Sequence, residues 1–146
     1  MANNQQPFIG VHLILIQDGK ILLGKRTDHL LKDSYMMVAG HVEDGESIFS
    51  AMIREAKEEA DIILEEKDLR LTCVVHHPNA PYKGNHHDII NFFITANRYQ
   101  GIVCNKEPHK CPELKWHPLN NLPRLSVHTK AVLEAIQKGE NCVIIS

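Results

Sequence analysis

The chain has 146 residues, of which 43% are hydrophobic and 23% are charged. This balance is that of an ordinary globular protein and excludes a disordered, collagenous or coiled-coil chain, while the length predicts one domain over residues 1–146. With 16 basic and 18 acidic residues the net charge is −2, which excludes a general nucleic-acid surface, so an anionic ligand would require a local basic site or a metal.

No stretch of the sequence is typical of a membrane protein or a secreted one. The longest purely aliphatic run, Leu13–Ile16, is far shorter than the ~18 residues that a membrane span needs. The residues from Met1 to Pro7 lack the basic and apolar regions of a signal peptide. We therefore expect a soluble, cytoplasmic protein without a membrane partner. The four cysteines form no C-x-x-C pair and are expected to be reduced thiols, with a structural zinc site as the minor alternative.

The predicted elements begin with a β-hairpin and continue as short strands. Asp18-Gly19, a favoured pair for a tight turn, lies between two apolar runs and predicts the hairpin. A polar loop over Thr27–Asp33 separates the hairpin from the next segment. The predicted strands are Phe8–Ile16, Ile21–Leu23, Tyr35–Ala39, Leu69–Val75, Ile89–Ala96 and Glu113–His117.

Two segments are predicted to form helices. The first, Ser47–Ala60, consists of good helix formers and follows an Asp-Gly turn. The second, Val127–Lys138, is amphipathic and has Gly139 as its C-terminal cap. The side chains expected to face the core on this helix are Val132, Leu133 and Ile136. The order of strands, helix, strands and helix predicts an α+β fold with a mixed β-sheet.

The segment between two of the predicted strands is rich in histidine and admits two interpretations. His76-His77 and His86-His87 flank a stretch that contains two prolines and Gly84, which predicts a loop. If this loop brings the doublets together, their imidazoles are candidate ligands of a transition metal. The interpretation that we favour is a polar loop whose imidazoles contact solvent or substrate.

The first predicted helix carries three carboxylates on one stripe. Helical periodicity places Glu55, Glu58 and Glu59 along the rim of its apolar face. Glu55 and Glu59 lie one turn apart and repel each other, and Arg54, which can pair with Glu58, does not lie between them. A divalent cation would relieve this repulsion, and three carboxylates with water ligands suit Mg²⁺. Taken alone, the same pattern also fits a solvated helix face.

The spacing of these residues resembles the Nudix box, G-x5-E-x7-R-E-U-x-E-E-x-G-U, in which U is aliphatic. The segment Gly40–Ile62 reads GHVEDGESIFSAMIREAKEEADI and matches six of the seven fixed letters. The mismatch is Asp61, where the family has Gly; Asp tolerates the left-handed turn that such a Gly serves. The resemblance extends to KILLGKR, which ends at Arg26, to YMMVAGHVE over Tyr35–Glu43, and to the ELKW segment that precedes the turn at Pro123.

The resemblance, which is to the small MutT-like branch, implies a fold and an activity. The implied fold is a mixed β-sheet sandwiched between α-helices. The implied activity is hydrolysis of a nucleoside diphosphate linked to another group, with Mg²⁺, or Mn²⁺ as a substitute, as cofactor. Glu55, Glu58 and Glu59 would be the metal-binding carboxylates, one of which also activates the water. In such a site the metal neutralises phosphate charge, acidifies the attacking water and supports the leaving group.

The resemblance also assigns supporting roles around these three glutamates. Arg54 would orient them through a salt bridge, and Glu46 would support that network. The backbone carbonyl of Ala39 or Gly40 would complete the coordination of a metal. The alternatives are that Arg54 and Glu58 form a surface ion pair and that Glu46 is a first-turn acid favoured by the helix dipole.

Many members of the family add a carboxylate from a later loop, as a metal ligand or as the base. Glu107 is our candidate, and Glu113 and Asp88 are its rivals. A solvated loop acid remains the alternative interpretation of Glu107.

The nucleobase pocket is the least defined part of the site. Such pockets hold a base by stacking and a few polar contacts. The candidate lining residues are Tyr35, His76, Tyr82, Asn91, Phe93 and Trp116. Together with the basic Arg26, we expect Tyr35, His76 and Trp116 to bind substrate, although Trp116 alternates with Leu114 and can equally pack in the core. Pro78 lies 16 residues beyond the box, a spacing that resembles ADP-ribose hydrolases.

Three functions are therefore compared. The leading hypothesis is hydrolysis of a nucleoside triphosphate, including an oxidised one, to the monophosphate and pyrophosphate. A second is hydrolysis of ADP-ribose or a nucleotide sugar, which yields two monophosphates instead. A third is a Nudix-fold module that senses a nucleotide without cleaving it, but such modules typically lose box carboxylates that this chain retains. A homodimer is possible in this family.

Overall fold

The computed structural model describes residues 6–27 and 33–146, which form nine strands and two α-helices. The strands are β1 (Phe8–Ile14), β2 (Ile16–Gln17), β3 (Lys20–Lys25), β4 (Tyr35–Met36), β5 (Ala39–His41), β6 (Leu69–Tyr82), β7 (Asn85–Ala96), β8 (Leu114–Pro118) and β9 (Cys142–Ile144). The helices are α1 (Ile48–Ala60) and α2 (Val127–Gln137), with a 3₁₀ turn over Glu66–Asp68. Most of the predicted loop Thr27–Asp33 lies outside the described residues. No described helix is both long enough and apolar enough to span a membrane.

The strands form a larger mixed sheet and a smaller antiparallel one. In the larger sheet the order is β5-β1-β7-β6-β9, with β1 parallel to β7 and β6 parallel to β9. In the smaller sheet β3 pairs with β2, β4 and β8. Because β1 ends at Ile14 and β2 begins at Ile16, the chain passes from the larger sheet to the smaller one at a single residue.

The predicted hairpin turn is confirmed, but two predicted strands are each divided between the sheets. Asp18 and Gly19 have φ angles of 53° and 75°, as a type I′ turn requires, and β2 pairs with β3 across them. The strand before the turn is divided at Leu15, and its longer part, β1, pairs with β5 and β7 instead. The strand predicted over Tyr35–Ala39 is divided into β4, which joins β3, and β5, which joins β1.

Helix α1 begins and ends at the residues that its sequence predicts. The side chain of Ser47 caps the N-terminus by accepting a hydrogen bond from the backbone N of Ser50 at 3.0 Å. At the other end Asp61 adopts the left-handed conformation, with φ 56°, and its backbone N–H bonds the carbonyls of Ala56 and Lys57. Asp61 therefore takes the backbone conformation for which the family pattern has glycine.

Helix α2 is confirmed, but one of its predicted core residues is wrong. Ser126 caps its N-terminus, and Gly139 follows its last turn with φ 72°. Val132 is fully buried, whereas Ile136 is 37% exposed and Ala135 is buried in its place. The helix faces the sheet through Thr129, Val132 and Ala135, which share one stripe at a spacing of three residues, so Ile136 falls at its edge.

Each face of the larger sheet is covered by one helix. Buried residues on the α1 side include Val11, Leu13, Met52, Ala56 and Ile94. Buried residues on the α2 side include Ile14, Val75, Phe93, Val132 and Ala135. The sheet is therefore sandwiched between helices, and the predicted α+β fold is confirmed.

The predicted histidine-rich loop is wrong, because β6 and β7 continue through it as one long hairpin. The turn lies at Lys83-Gly84, where φ is 49° and 82°. The register shifts between His77 and Ala80, and this bulge accommodates Pro78, which cannot donate to a regular ladder. In the hairpin His77 pairs with Ile89 and Ala80 with His87, so the two doublets are offset along the strands.

Candidate active site

Arg54 is the centre of an ion-pair network at α1. Its Nε and Nη2 each donate a hydrogen bond of 2.8 Å to the carboxylate of Glu46. Its Nη1 donates to Glu55 at 2.8 Å and to Glu58 at 3.3 Å. Nη2 also donates to the carbonyl oxygen of His41 at 3.0 Å. The guanidinium therefore joins three carboxylates of the box to the end of β5.

Glu46 lies before helix α1 and belongs to this network. Its Oε1 accepts a hydrogen bond from the backbone N of Glu43 at 2.8 Å, in addition to the bonds from Arg54. Hydrogen bonding to Arg54 lowers the pKa of Glu46 to about 2, so the carboxylate stays ionised. Since Ser47 is the N-cap residue and the first helical turn contains no acid, the interpretation of Glu46 as a first-turn acid is wrong.

Gly40 lies where strand β5 approaches α1 most closely. Pairing of Gly40 with Val11 turns this position toward the α1 side of the sheet. A Cβ atom at Gly40 would lie 2.0 Å from Cδ of Glu55, which is a steric clash. The absence of a side chain at this position therefore allows the Glu55 carboxylate to lie against β5.

Burial and mutual repulsion make Glu59 and Glu55 hard to ionise. Burial, followed by the charge of Glu55, raises the pKa of Glu59 to about 8, against a hydrogen bond of 3.2 Å from the backbone N of Ala39. Burial also raises the pKa of Glu55, although Arg54 opposes the shift. The charge of Glu107 adds to both increases. The negative charge at this point of the fold is thus only partly compensated by Arg54.

A loop that follows the sheet places Glu107 beside these glutamates. The backbone N of Lys106 donates to the carbonyl of Glu59 at 3.1 Å, which ties the loop to the end of α1. The rivals of Glu107 are engaged elsewhere. Glu113 accepts a hydrogen bond from the hydroxyl of Tyr35 at 3.0 Å, and Asp88 accepts one from the backbone N of Asn79 at 2.8 Å in the long hairpin.

The donor set fits a divalent cation, although its side chains are not yet arranged around one. Among residues 6–27 and 33–146, no three His, Cys, Asp or Glu side chains form a ready-made metal cluster. Nη1 of Arg54 instead bonds both Glu55 and Glu58, and Ala39 holds Glu59. Carboxylate oxygens are the hard donors that Mg²⁺ and Mn²⁺ prefer. A bound cation would also stabilise the ionised forms of the carboxyls whose pKa values are raised. The residues therefore fit the metal that the resemblance implies.

Two of the predicted substrate-binding residues lie at the smaller sheet. Arg26 is close enough to Glu59 for its charge to lower the pKa of that carboxyl. Tyr35 contacts β8, because its hydroxyl donates to Glu113 and its ring meets His117 edge-on, with the centroids 4.9 Å apart. The structure thus brings Arg26 to the carboxylates and attaches Tyr35 to the neighbouring strand.

The other two, Trp116 and His76, lie at the core on the α1 side and on strand β6. Trp116 packs against the hydrophobic core on the α1 side, as its alternation with Leu114 allows. His76 alternates with Val75 and His77, which face α2, and therefore points to the opposite side of β6.

His77, which the sequence analysis considered only as a candidate metal ligand, forms a hydrogen bond with His128, which was not singled out. Their rings meet through a hydrogen bond of 2.8 Å between β6 and α2. Fifty-one positions separate them in the chain, and no spacing rule connects residues so far apart.

Comparison with known proteins identifies the family. A model of the NUDIX domain matches residues 7–136. The ADP-ribose pyrophosphatase of Methanocaldococcus jannaschii is 29% identical over 135 residues, which cover 92% of this chain and 76% of that protein. The crystal structure of a MutT NUDIX hydrolase from Burkholderia pseudomallei is 30% identical, with a TM-score of 0.79 and coverage of 89% of this chain and 98% of that one. The solution structure of the E. coli ORF135 protein shares the fold, with a TM-score of 0.74. It is 22% identical and covers 91% of this chain and 90% of that one.

The match spans the box and the described strands from β1 to β8, and leaves out β9. It starts one residue before β1 and ends in the last turn of α2. The predicted Nudix resemblance is therefore confirmed: the chain belongs to the NUDIX family and is a Nudix pyrophosphohydrolase.

Proposed function

We propose that the chain hydrolyses a nucleoside triphosphate to the nucleoside monophosphate and pyrophosphate, with Mg²⁺ as the cofactor and Mn²⁺ as a substitute. The observation that carries this proposal is the set of Glu55, Glu58 and Glu59 beside a glycine of β5: the guanidinium of Arg54 holds Glu55 and Glu58, and the backbone N of Ala39 donates to Glu59. When bound, a divalent cation supplies charge neutralisation for the phosphates and lowers the pKa of a nearby water.

We assign the side chains to cation binding or to substrate binding according to their exposure. Glu55 and Glu59 are largely buried, and we assign them the role of main cation ligands, whereas the side chain of Glu58 is 51% exposed and is assigned the position next to the substrate. Arg54 orients Glu55 and Glu58 and does not contact substrate. Arg26, whose charge already acts on Glu59, binds a phosphate of the substrate.

The choice of triphosphate follows the MutT relative, of whose length this chain covers 98%. ADP-ribose is the second candidate, because a relative that is 29% identical is an ADP-ribose pyrophosphatase. The products separate the two: the first substrate releases pyrophosphate, and the second releases adenosine monophosphate and ribose 5-phosphate.

The test compares the wild type with Glu58→Gln on nucleoside triphosphates, oxidised dGTP, ADP-ribose and nucleotide sugars in the presence of Mg²⁺. Gln keeps the size of the side chain but removes its charge, so we expect the rate to fall at least about a hundredfold, or ~2.7 kcal/mol of barrier. Glu134→Gln, an exposed change on α2, is the matched control and should keep the wild-type rate. A Glu58→Gln variant as fast as the wild type would contradict the proposed site, and a wild type without turnover on any of these compounds would contradict the function.

A further inference from the structure

Four polar side chains form a hydrogen-bonded chain on the α2 side of the larger sheet. Nδ1 of His77 lies 2.8 Å from Nε2 of His128, and Nδ1 of His128 lies 2.7 Å from Nδ2 of Asn91. Asn91 also forms a hydrogen bond with His12. The four residues come from β6, α2, β7 and β1, so the chain crosses the centre of the sheet.

The order of the atoms fixes the position of each proton. The amide Nδ2 of Asn91 can only donate, so Nδ1 of His128 accepts, and the proton of this neutral ring lies on Nε2. Nε2 of His128 therefore donates to Nδ1 of His77, which leaves Nε2–H of His77 as a hydrogen-bond donor at the outer end. At the inner end, Nδ1 of His12 is buried without a partner among the described residues, and the hydrogen bond with the side chain of Asn91 raises the pKa of His12 against the effect of burial.

The imidazoles on this face are kept uncharged at neutral pH. Burial lowers the pKa of His12 to about 3 and that of His128 to about 4. Burial also lowers the pKa of His77. Neutral rings do not attract phosphate, but they suit a flat, uncharged ligand that offers hydrogen-bonding edges.

Aromatic rings and one glycine adjoin the hydrogen-bonded residues on this face. Phe8 stacks on His41 with the centroids 5.3 Å apart and contacts the rings of Tyr82 and His87 at 4.8 and 4.5 Å. A Cβ atom at Gly10, which lies between these rings and the hydrogen-bonded chain, would meet the amide oxygen of Asn91 at 2.3 Å. The amide therefore lies across β1 in a space that any other residue at position 10 would fill.

The face adjoins the carboxylates at the edge of the sheet. His41 directly follows Gly40 on β5, and Ala39 of the same strand pairs with His12. Gly40 faces the glutamates on the α1 side, whereas its neighbours face α2. The charge of Arg26 acts on both Glu59 and His12. A substrate whose phosphates lie at the glutamates therefore reaches this face around strand β5.

We propose that this surface, the imidazole face formed by Phe8, His12, His41, His77, Asn91 and His128, binds the nucleobase of the substrate and selects it through the donor of His77. The proposal rests on the proposed function and adds the residues that choose the base. All four bases carry hydrogen-bond acceptors, so the preference depends on where the acceptor of each base lies relative to Nε2–H of His77.

The test uses substrates that differ in the base alone. ATP, GTP, CTP and UTP share a leaving pyrophosphate, and ADP-, GDP-, CDP- and UDP-glucose share a leaving glucose phosphate. We expect the wild type to separate the best base from the worst by at least about tenfold in kcat/KM, and His77→Phe or His128→Ala to reduce this ratio to about threefold or less. The loss should appear in KM for the preferred base, with kcat nearly unchanged, because the variants leave the carboxylates intact.

Lys130→Ala is the matched control, since Lys130 is an exposed residue two positions after His128 on α2, and this variant should keep the ranking. The proposal would be overturned by equal kcat/KM values of the wild type for all four bases, or by variants of His77 and His128 that preserve the ranking. Neither result would contradict the hydrolase function. If the wild type hydrolyses neither series, the proposed function fails, and calorimetry with AMP, GMP, CMP and UMP decides the inference. Equal affinities for the four monophosphates, or affinities unchanged in His77→Phe, would then overturn it.

Discussion

At the scale of single residues, Gly40 and Arg54 determine where the carboxylates lie. The box motif identifies the residues of this network but not their pairing. The helical spacing favoured an ion pair between Arg54 and Glu58, whereas the shorter bonds of Arg54, at 2.8 Å, reach Glu46 and Glu55. Glu46 precedes the helix and approaches Arg54 only because the chain turns before Ser47, which is a property of the loop and not of the helical period.

Gly40→Ala tests the contact between β5 and α1. The new Cβ would lie 2.0 Å from Cδ of Glu55, so we expect the carboxylate to be displaced and the affinity for Mn²⁺, measured by calorimetry, to fall at least about tenfold. Gly84→Ala is the control: it strains a left-handed residue of the hairpin turn but meets no atom within 4 Å. Equal Mn²⁺ affinities in the two variants would show that Gly40 is not required for the site.

At the scale of elements, the predicted helices were more accurate than the predicted strands. Both helices carry explicit caps in their sequence, Ser47 and Ser126 at the start and Gly139 at an end, and these caps act locally. The long hairpin depends instead on cross-strand pairing and on a bulge that accommodates Pro78, which no local pattern encodes. For the same reason the chain from His77 to Asn91, formed by three separate elements, could not be predicted from the sequence.

The loop that carries Glu107 depends on the side chain of Asn105. Its Oδ1 accepts from the backbone N of Glu107 at 3.1 Å, and its Nδ2 donates to the carbonyl of Cys111 at 2.6 Å, which closes the loop. We expect Asn105→Ala to weaken Mn²⁺ binding several-fold, by about 1 kcal/mol, because Glu107 is no longer held beside Glu59.

A double-mutant cycle separates this positioning from general destabilisation. If Asn105 acts through Glu107, Asn105→Ala should have little further effect on Mn²⁺ affinity in a Glu107→Gln background. Asn121→Ala, in an exposed turn, is the control and should bind Mn²⁺ like the wild type. Additive losses in the double variant would mean that Asn105 does not position Glu107.

At the scale of the whole molecule, the order of strands and helices was enough to predict an α+β fold with a mixed sheet, and the resemblance to the Nudix family added the helices on both sides of it. The apolar segment Phe8–Ile16 predicts a strand but not that Val11 and Ile14 belong to opposite clusters. The division into two sheets was not predicted because it depends on which strand each segment pairs with, and therefore on contacts between distant parts of the chain.

Buried histidines and a buried glutamate make the stability of the metal-free protein decrease both toward acidic and toward alkaline pH. His12 and His128 have pKa values of about 3 and 4 in the folded protein, against 6.5 when unperturbed. At a pH between the folded and the unperturbed value, the unfolded chain binds more protons than the folded one. The free energy of unfolding therefore decreases as the pH falls below 6.5. Glu59 has a pKa of about 8 in the folded protein, against 4.5 when unperturbed, so the folded chain binds more protons between these two pH values. The free energy of unfolding therefore decreases as the pH rises from 4.5 through 8.

Urea unfolding in EDTA across pH 4 to 9 measures both effects. We expect the free energy of unfolding to pass through a maximum and to decline toward both ends of this range. Glu59→Gln removes the buried charge, so the alkaline decline should disappear, with a gain of at least about 1 kcal/mol over the wild type at pH 9. With saturating Mg²⁺ in place of EDTA, the decrease of the unfolding free energy of the wild type at alkaline pH should also become smaller, because the cation binds the ionised carboxylates of the folded protein. Parallel curves for the wild type and Glu59→Gln above pH 7 would contradict the raised pKa, and with it the view that this buried carboxylate needs a cation to ionise.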